Sequence, residues 1–258
     1  MFSPTNPYHV DGPVTRGEHF VGRREMIAWA WQALAQETRV LLIVGEPLIG
    51  KSSLLLQLER EAPQEYLALY VDLLDAHTQV SDEGGKLSAF VVEAMQRRLL
   101  AAVDAEAGEI AATTPASVWK ALRELGPTRR PLLLLDDLDR LLARNDEAGW
   151  AFVEDLAELM ALHPDLQIVC AARSLESLRR VDALPLHRAP WREIEPLSRA
   201  EAVRLIKIPA EGQLEYDYEA MARIDELTAR QPYFVQLLCG QIFEGRGEAG
   251  HVTLVDVE

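Results

Sequence analysis

The sequence contains few cysteines, few basic residues and no long apolar run. Only 2 of its 258 residues are cysteine, so a disulfide-stabilised extracellular domain is not indicated. Cys170 and Cys239 both lie in apolar patterns, and we predict buried, reduced thiols in a cytoplasmic protein. No apolar segment approaches the ~20 residues that a membrane-spanning helix needs. The N-terminus also lacks the basic and apolar regions of a secretory signal.

Basic side chains are outnumbered by acidic ones. The chain has 26 Lys and Arg against 41 Asp and Glu, a formal net charge of −15 and a pI near 4.9. This balance argues against a broad surface for nucleic acid or anionic membrane. The six histidines show no zinc-ligand spacing, and no G-x-S-x-G elbow is present, so a zinc site and an acyl-transfer nucleophile are not expected.

One stretch carries a specific chemical signal. Gly45 and Gly50 enclose four residues and are followed by Lys51 and Ser52, which is the G-x-x-x-x-G-K-[ST] pattern of a phosphate-binding P-loop. Chance produces this pattern in about 1% of chains of this length. Backbone N–H groups and a helix N-terminus are expected to bind the phosphates of ATP or ADP there. The predicted nucleotide-binding residues of this loop are Gly45, Glu46, Pro47, Leu48, Ile49, Gly50, Lys51, Ser52 and Ser53.

Two carboxylates follow a later leucine-rich run. Residues 131–137 read as a central parallel strand ending in Asp136 and Asp137. Beside the P-loop signal, Lys51 is expected to reach the β- and γ-phosphates, while Ser52 and Asp136 hold Mg²⁺. Asp137 is expected to orient or deprotonate the attacking water. The alternative is that the two acids only cap a solvated helix.

A further strand, at 166–172, ends next to Arg173. A guanidinium at the C-terminal end of a strand near the P-loop strand can sense or stabilise the γ-phosphate. A surface ion pair is the competing interpretation of Arg173, and both remain open at this point.

The remaining pattern alternates between helices and strands and then becomes helical. Helices are predicted at 24–36, within 87–99, after Thr114 and at 150–162, with strands at 66–72 and 191–194. Ser198 and Glu201 form a capping box, a second helix runs over 218–227, and Pro232 begins a third. The prediction is an α/β P-loop NTPase fold, with a five-stranded parallel sheet flanked by helices, followed by a small all-helical lid domain. The predicted division is an N-terminal arm at 1–20, a core at 21–195 and a lid at 196–258.

Trp29 falls on the side of the first helix opposite its apolar stripe. It therefore needs a partner, for which the proline-rich arm and a protein interface are the two candidates.

Taken together, the motifs resemble a known family. They are, in chain order, Asn6-Pro7-Tyr8 with Gly12-Pro13-Val14, Phe20-Val21-Gly22-Arg23, the P-loop, the Leu-Leu-Asp-Asp strand, the arginine-ended strand, Glu195-Pro196-Leu197-Ser198 and Gln231-Pro232-Tyr233. This set is similar to the ATPase module of bacterial STAND proteins, a signal-transduction branch related to AAA+ and origin-recognition ATPases.

The resemblance implies a switch that binds ATP or ADP with Mg²⁺ between core and lid. Family members are closed with ADP and open and oligomeric with ATP. It places Val21, Gly22 and Arg23 near the adenine or ribose, makes Arg173 the sensor on the sheet, and has Pro232 contact the nucleotide from the lid. Further sensor or effector domains usually accompany such modules.

The chain departs from the family pattern at three places. Arg230 stands where a glycine commonly precedes the lid proline, which either weakens the lid contact or supplies a cation that senses phosphate. Asp137 replaces a glutamate that is one methylene longer, so slow hydrolysis is expected. Family members usually continue beyond the last residues into a winged helix or effector, so we expect a fragment or a minimal member. The sequence does not rank the candidates for an arginine finger, which are Arg129, Arg130, Arg140 and Arg144.

The predicted function is an ATP-binding signalling switch with slow Mg²⁺-dependent hydrolysis. Nucleotide state would control lid closure and assembly, with protein partners, fused effectors or further copies of the chain. Two alternatives are retained: a non-hydrolysing nucleotide-binding scaffold and an AAA+ DNA-loading ATPase of the origin-recognition type. Neither a membrane nor nucleic acid is expected as a partner of these residues.

Overall fold

A five-stranded, fully parallel sheet forms the centre of the α/β part of the protein. The computed structural model describes residues 6–75, 129–143, 147–178, 185–246 and 250–258. The strands run in the spatial order β2-β3-β4-β1-β5. Their bounds are β1 Val40–Val44, β2 Tyr66–Asp72, β3 Arg130–Asp136, β4 Gln167–Ala172 and β5 Trp191–Glu193. The predicted five-stranded parallel sheet of a P-loop NTPase fold is confirmed.

The inner strands are mostly apolar and almost completely buried. Every residue of β1 and β4 is buried, and so is every residue of β3 after Arg130. Such continuous burial is typical of a parallel sheet with helices on both faces. It explains why the middle of each strand is a continuous apolar run rather than an alternating pattern.

Eight helices are found in the described residues, and those of the C-terminal region agree with the predicted helical part. They are α1 Arg24–Ala35, α2 Lys51–Arg60, α3 Leu138–Ala143, α4 Glu147–Leu162, α5 Leu175–Leu178, α6 Arg199–Lys207, α7 Tyr218–Thr228 and α8 Pro232–Arg246. The predicted apolar stripe of α1 is buried at Ile27, Ala30 and Leu34. Among the described residues, no helix combines the length and apolar character needed to cross a membrane.

The C-terminal region is not entirely helical, contrary to the prediction. Strands β6 (Leu214–Tyr216) and β7 (Gly250–Val252) pair in parallel as a separate two-stranded sheet. Each strand has only three residues, too few for an alternating pattern to be recognised in the sequence. Their partners lie more than thirty positions apart in the chain, so no local turn signal marks the pairing.

The chain divides into two compact units, each with its own apolar core. One unit comprises 1–27, 45–57 and 194–258, and the other comprises 28–44 and 58–193. The core of the second unit joins sheet residues such as Leu133 and Ile168 to helix residues such as Phe152. The core of the first joins Tyr8 and Val21 to the C-terminal helices. Both cysteines are free and buried, as predicted.

Some sequence predictions are not tested by these observations. The helices expected within 87–99 and after Thr114, and Arg144, lie outside the described residues. The domain boundaries after residues 20 and 195 stay predictions.

Candidate nucleotide-binding site

The P-loop adopts a conformation that its glycines allow. Leu48 and Gly50 both have positive φ, 65° and 99°, and alternation of such residues with ordinary ones turns successive N–H groups to one side. A Cβ on Gly45 would lie 3.1 Å from Ile49 Cγ2 and 3.2 Å from the Ile194 carbonyl oxygen. Gly45 therefore favours close packing, because a Cβ there would make tight contacts, whereas Gly50 is suited to its backbone angle.

Lys51 is the first residue of α2, and its side chain folds back over the loop. Its Nζ donates to the carbonyl oxygens of Gly45, at 2.8 Å, and Glu46, at 3.0 Å. Only 8% of the residue is exposed. These bonds keep the ammonium group at the N-terminus of α2, where the helix dipole and the backbone N–H groups also favour an anion.

The two serines after Lys51 differ in their surroundings. Ser53 Oγ accepts a hydrogen bond of 3.0 Å from the backbone N–H of Val14, which ties the N-terminal arm to α2. This bond gives Ser53 a structural partner that the spacing of the motif did not indicate. Ser52 is half-buried in the first turn of the same helix, where a hydroxyl oxygen is a suitable ligand for Mg²⁺.

Arg23 connects the P-loop with the start of the C-terminal helical region. Its Nη2 donates to the carbonyl oxygen of Ile49 at 3.1 Å, and its Nη1 donates to that of Glu195. Its backbone N–H donates to Glu201 Oε1 at 3.0 Å. Arg23 itself has a φ of 64°, a strained angle for a residue with a side chain. Three segments that are distant in sequence therefore meet at this one residue.

Gly22 allows this turn to approach α6. Its φ is 80°, and a Cβ at this position would lie 2.3 Å from Glu201 Oε1. Val21, the preceding residue, is buried in the core of the same unit. The predicted contact of these residues with adenine or ribose stays a prediction, and the structure adds a packing reason for the glycine.

The charges of Arg23 and Glu201 respond to their surroundings. Burial lowers the pKa of the Arg23 guanidinium from its usual value, and the negative charge of Glu201 partly opposes that change. For Glu201, burial acts to raise the pKa, but hydrogen bonds from Ser198 and Arg23 outweigh it, so its pKa lies below the usual value. The carboxylate is therefore ionised at neutral pH and accepts these bonds in its charged form.

The segment before Pro232 is held in left-handed conformations. Ala229 and Arg230 have φ values of 47° and 60°, which explains in physical terms why a glycine suits the position of Arg230. Here the side-chain contacts of Arg230 offset the cost of its positive φ. Its Nε donates to the Leu197 carbonyl oxygen at 3.0 Å, and its Nη1 lies 3.4 Å from Asp225 Oδ2. Pro232 begins α8, as predicted.

In the other unit, Asp136 is the last residue of β3 and Asp137 follows it, and the two differ sharply in exposure. Asp136 is 2% exposed; its Oδ1 accepts from the Asp137 N–H at 3.0 Å, and its Oδ2 accepts from the Tyr70 hydroxyl at 3.0 Å. Asp137 is half-buried, has a φ of 57° and forms an ion pair of 2.8 Å with Arg140. The predicted base therefore already has a cationic partner, and that partner is one of the candidate arginine fingers.

Arg173 follows β4 directly, as the sequence indicated. Its side chain is exposed, and its backbone N–H donates to Asp139 Oδ2 at 3.1 Å. Asp139 is 6% exposed and lies in the first turn of α3. This buried carboxylate joins the segment after β3 to the segment after β4, a non-local contact that no motif spacing in the sequence indicates.

Trp29 also has a partner that the sequence did not identify. The Arg192 guanidinium on β5 lies 5.2 Å from the centre of its ring, within the range of a cation–π contact. This contact differs from both candidates named above.

The residues of the P-loop fit a nucleotide, and the oxygen ligands fit Mg²⁺. The loop supplies convergent N–H groups, an ammonium group and a helix N-terminus, which together favour polyphosphate. The Ser52 hydroxyl in one unit and the Asp136 carboxylate in the other each offer oxygen of the hard kind that Mg²⁺ prefers, and their joint role as metal ligands stays a prediction. In the described ranges, no three His, Cys, Asp or Glu side chains form a metal cluster of their own. Mg²⁺ typically takes most of its ligands from phosphates and water, so a site of this kind needs only one or two protein ligands.

Fold and motif together define a P-loop NTPase. The sequence profile of the AAA ATPase domain matches residues 19–169, which is more than half of the chain. The chain therefore belongs to the AAA ATPase domain family, and it is a nucleotide-binding module of the AAA+ ATPase type. No curated protein sequence matches this chain significantly.

Two solved structures resemble the protein in fold. The Walker-type ATPase paby2304 of Pyrococcus abyssi is 18% identical, with a TM-score of 0.69, and the match covers 92% of this chain and 71% of that one. The ORC1 protein of Aeropyrum pernix, solved in complex with DNA, is 17% identical with a TM-score of 0.54, and the match covers 92% and 64%. At these identities the likeness establishes the fold alone.

Proposed function

We propose that this protein is an ATP-binding signalling switch of the STAND type that hydrolyses ATP slowly with Mg²⁺. ATP or ADP binds at the P-loop, and the nucleotide state sets the conformation of the C-terminal helical region. That change governs assembly with further copies of the chain, protein partners or fused effector domains. A cytoplasmic location accompanies this proposal.

The observation that carries the proposal is the set of contacts made by Arg23. Its side chain bonds to the carbonyl oxygen of Ile49 in the P-loop and to that of Glu195, while its backbone bonds to Glu201 at the start of α6. A P-loop that rearranges around phosphates changes the position of Ile49. Arg23 transmits this displacement to the first of the C-terminal helices.

The site residues have distinct roles in this proposal. Lys51 exchanges its bonds to loop carbonyls for bonds to the β- and γ-phosphates, and Ser52 and Asp136 hold Mg²⁺. Bound Mg²⁺ neutralises the charge that develops on the transferred phosphoryl group. Asp137 orients or deprotonates the water, and Arg173 responds to the γ-phosphate. Val21, Gly22 and Arg23 lie near the adenine or ribose, and Pro232 contacts the nucleotide from the C-terminal helical region.

A non-hydrolysing scaffold is the second candidate, and the Asp137–Arg140 ion pair favours it. Asp137 is shorter than the glutamate of related ATPases, and its Oδ2 is bound by Arg140 at 2.8 Å. The ion pair thus occupies one of the two oxygen atoms with which Asp137 would bind the attacking water. If that pair persists with ATP bound, the nucleotide remains intact and serves a structural purpose.

Thermal unfolding with and without Mg-ATP tests nucleotide binding. At a ligand concentration 100-fold above Kd, we expect a stabilisation of about 2.7 kcal/mol, or roughly 5–10 °C for a chain of this size. Lys51→Ala should lose most of this shift, since the ammonium group contacts the phosphates. Lys207→Ala is the control, because Lys207 is an exposed lysine in the last turn of α6. Equal shifts in all three proteins would overturn the role of Lys51.

Release of phosphate separates the switch from the scaffold. Slow release over several turnovers that disappears in Asp136→Ala supports the ATPase. Tight ATP binding without any release by the unaltered protein supports the scaffold. The molecular mass in solution with ADP and with ATP then shows whether the nucleotide controls assembly.

A further inference from the structure

A tyrosine on the strand next to Asp136 holds that carboxylate in place. Strand β2 pairs in parallel with β3, with Tyr70 opposite Leu134 and Asp72 opposite Asp136. Tyr70 thus lies two residues before the end of β2, so its side chain projects from the same face of the sheet as that of Asp72. Its hydroxyl reaches diagonally towards the end of β3 and donates to Asp136 Oδ2 at 3.0 Å.

The position of Tyr70 is itself fixed by its backbone. Strand β2 lies at one edge of the described sheet, and the Tyr70 N–H donates to Glu59 Oε1 at 3.0 Å. This bond anchors the strand at the same residue whose side chain holds Asp136. The hydroxyl therefore projects from a constrained backbone rather than from a free strand edge.

Both carboxylate oxygens of Asp136 accept a hydrogen bond. Oδ2 accepts from Tyr70, and Oδ1 accepts from the N–H of Asp137 at 3.0 Å. Donors on both oxygens fix the rotation of the carboxylate plane, and they offset the cost of burying a charge that is only 2% exposed.

We infer that Tyr70 is a positioning residue that orients Asp136 for binding the Mg²⁺ of the nucleotide complex. This inference rests on the proposed function, in which Asp136 holds Mg²⁺. Tyr70 touches neither phosphate nor water in this role; it acts through the carboxylate alone. Partners of metal ligands commonly act in this way, by fixing the orientation of the ligand and its basicity.

The substitution Tyr70→Phe removes one oxygen atom and leaves the ring. Nucleotide binding is measured by the shift in melting temperature with ATP, over a Mg²⁺ titration and in EDTA. In EDTA, Tyr70→Phe should bind ATP like the unaltered protein. In the titration, the Mg²⁺ concentration for half of the maximal effect should rise about 10-fold or more, the range found for such outer partners.

Tyr66→Phe is the matched control. Tyr66 lies on the same strand and is buried, but it stands at the opposite end and packs against Trp31 with ring centres 5.3 Å apart. The variant Tyr66→Phe should leave the Mg²⁺ titration unchanged. The melting temperature without ligand tests whether each variant folds.

Asp136→Asn distinguishes failure of this inference from failure of the proposed function. If Asp136→Asn raises the Mg²⁺ requirement and Tyr70→Phe does not, Tyr70 has no positioning role and the inference alone is wrong. Equal rises in Tyr66→Phe and Tyr70→Phe would also overturn it, because the effect would then be general. If Asp136→Asn leaves the titration unchanged, the metal assignment of Asp136 fails, and the role of Tyr70 fails with it.

Discussion

The carboxylate of Glu201 joins two backbone segments that are far apart in the chain. Its Oε2 accepts from the backbone N–H and the hydroxyl of Ser198, at 2.8 and 2.7 Å, which completes the predicted capping box of α6. Its Oε1 accepts from the N–H of Arg23 at 3.0 Å. One ionised side chain therefore caps a helix and also secures the turn that carries Arg23, so its charge state affects both.

Glu201→Gln is predicted to reduce stability in a pH-dependent manner. The pKa of Glu201 is lowered in the folded protein, so its ionised form adds stability above its ordinary pKa, and this contribution is lost as the pH falls through the folded value. At pH 7 we expect the free energy of unfolding to fall by less than about 1 kcal/mol, since the group is partly exposed. Urea unfolding at pH 7 and near pH 3.5 measures the difference, which should shrink at the lower pH.

Glu219→Gln is the control for this experiment. Glu219 lies in the first turn of α7, whose N-cap residue Asp217 makes no side-chain capping bond. The helix dipole acts on both glutamates, but only Glu201 accepts the three hydrogen bonds described. An identical loss of stability in Glu201→Gln at both pH values would contradict the assignment to ionisation.

At this scale the sequence predicts the positions of residues but not their non-local partners. The spacing of Gly45, Gly50 and Lys51 is local, so the P-loop can be recognised from the chain alone. The bond of Tyr70 to Asp136 joins two strands, and that of Asp139 joins the segments that follow two strands, so both depend on a strand order and register that no local pattern specifies. The predicted roles of the site residues themselves stay predictions.

Among the elements, the N-terminal arm is anchored more firmly than its composition indicated. Tyr8 is 5% exposed, and its hydroxyl lies 2.7 Å from both the Ile206 carbonyl oxygen and the Tyr216 hydroxyl. Asn6 Nδ2 donates to the Gly240 carbonyl oxygen at 3.2 Å. Together with the bond from Val14 to Ser53, these contacts attach the N-terminal arm both to the C-terminal helices and to α2.

Tyr8→Phe should destabilise the protein by weakening the attachment of the N-terminal arm. The substitution leaves the Ile206 carbonyl oxygen without its donor and the Tyr216 hydroxyl without its acceptor, in a buried setting. Such losses cost about 1–3 kcal/mol, which urea unfolding measures directly. Tyr218→Phe is the control, because Tyr218 is 69% exposed and its hydroxyl bonds only to Arg199 among the described residues. Similar effects of the two substitutions would argue against an anchoring role for Tyr8.

Elements with strong local signals can be predicted from the sequence, and short ones cannot. The capping box indicates the start of α6, and the first proline indicates that of α8, because both signals are local. The sequence does not indicate the pair β6 and β7, since three residues per strand carry no period. It does not indicate the left-handed turn at Ala229 and Arg230 either, because neither residue is glycine. The geometry of this turn depends on the bonds of the Arg230 side chain.

At the scale of the whole molecule, net charge distinguishes two candidate functions of this fold, a DNA-loading ATPase and a signalling switch. The similarity to an ORC1 protein solved with DNA concerns the fold alone. Binding to duplex DNA depends largely on the neutralisation of phosphates by Lys and Arg, with release of counterions. This chain has 41 acidic against 26 basic residues, so its long-range field repels a polyanion. Of its basic residues, Arg23, Lys51 and Arg230 are already bound to backbone oxygens.

We therefore predict that this chain does not bind duplex DNA with the affinity of a DNA-loading ATPase. Fluorescence anisotropy of a labelled duplex, at about 50 mM salt and with ATP or ADP present, measures this binding. We expect no saturable binding at protein concentrations below the micromolar range. For comparison, proteins that bind DNA non-specifically have Kd values of roughly 10⁻⁴–10⁻⁶ M at physiological salt. Tight binding that weakens by orders of magnitude as salt rises to about 200 mM would instead reveal a concentrated basic surface. That result would favour a DNA-loading ATPase of the origin-recognition type over the signalling switch. A chain with a net charge of −15 can bind DNA only where its basic side chains are clustered on one face.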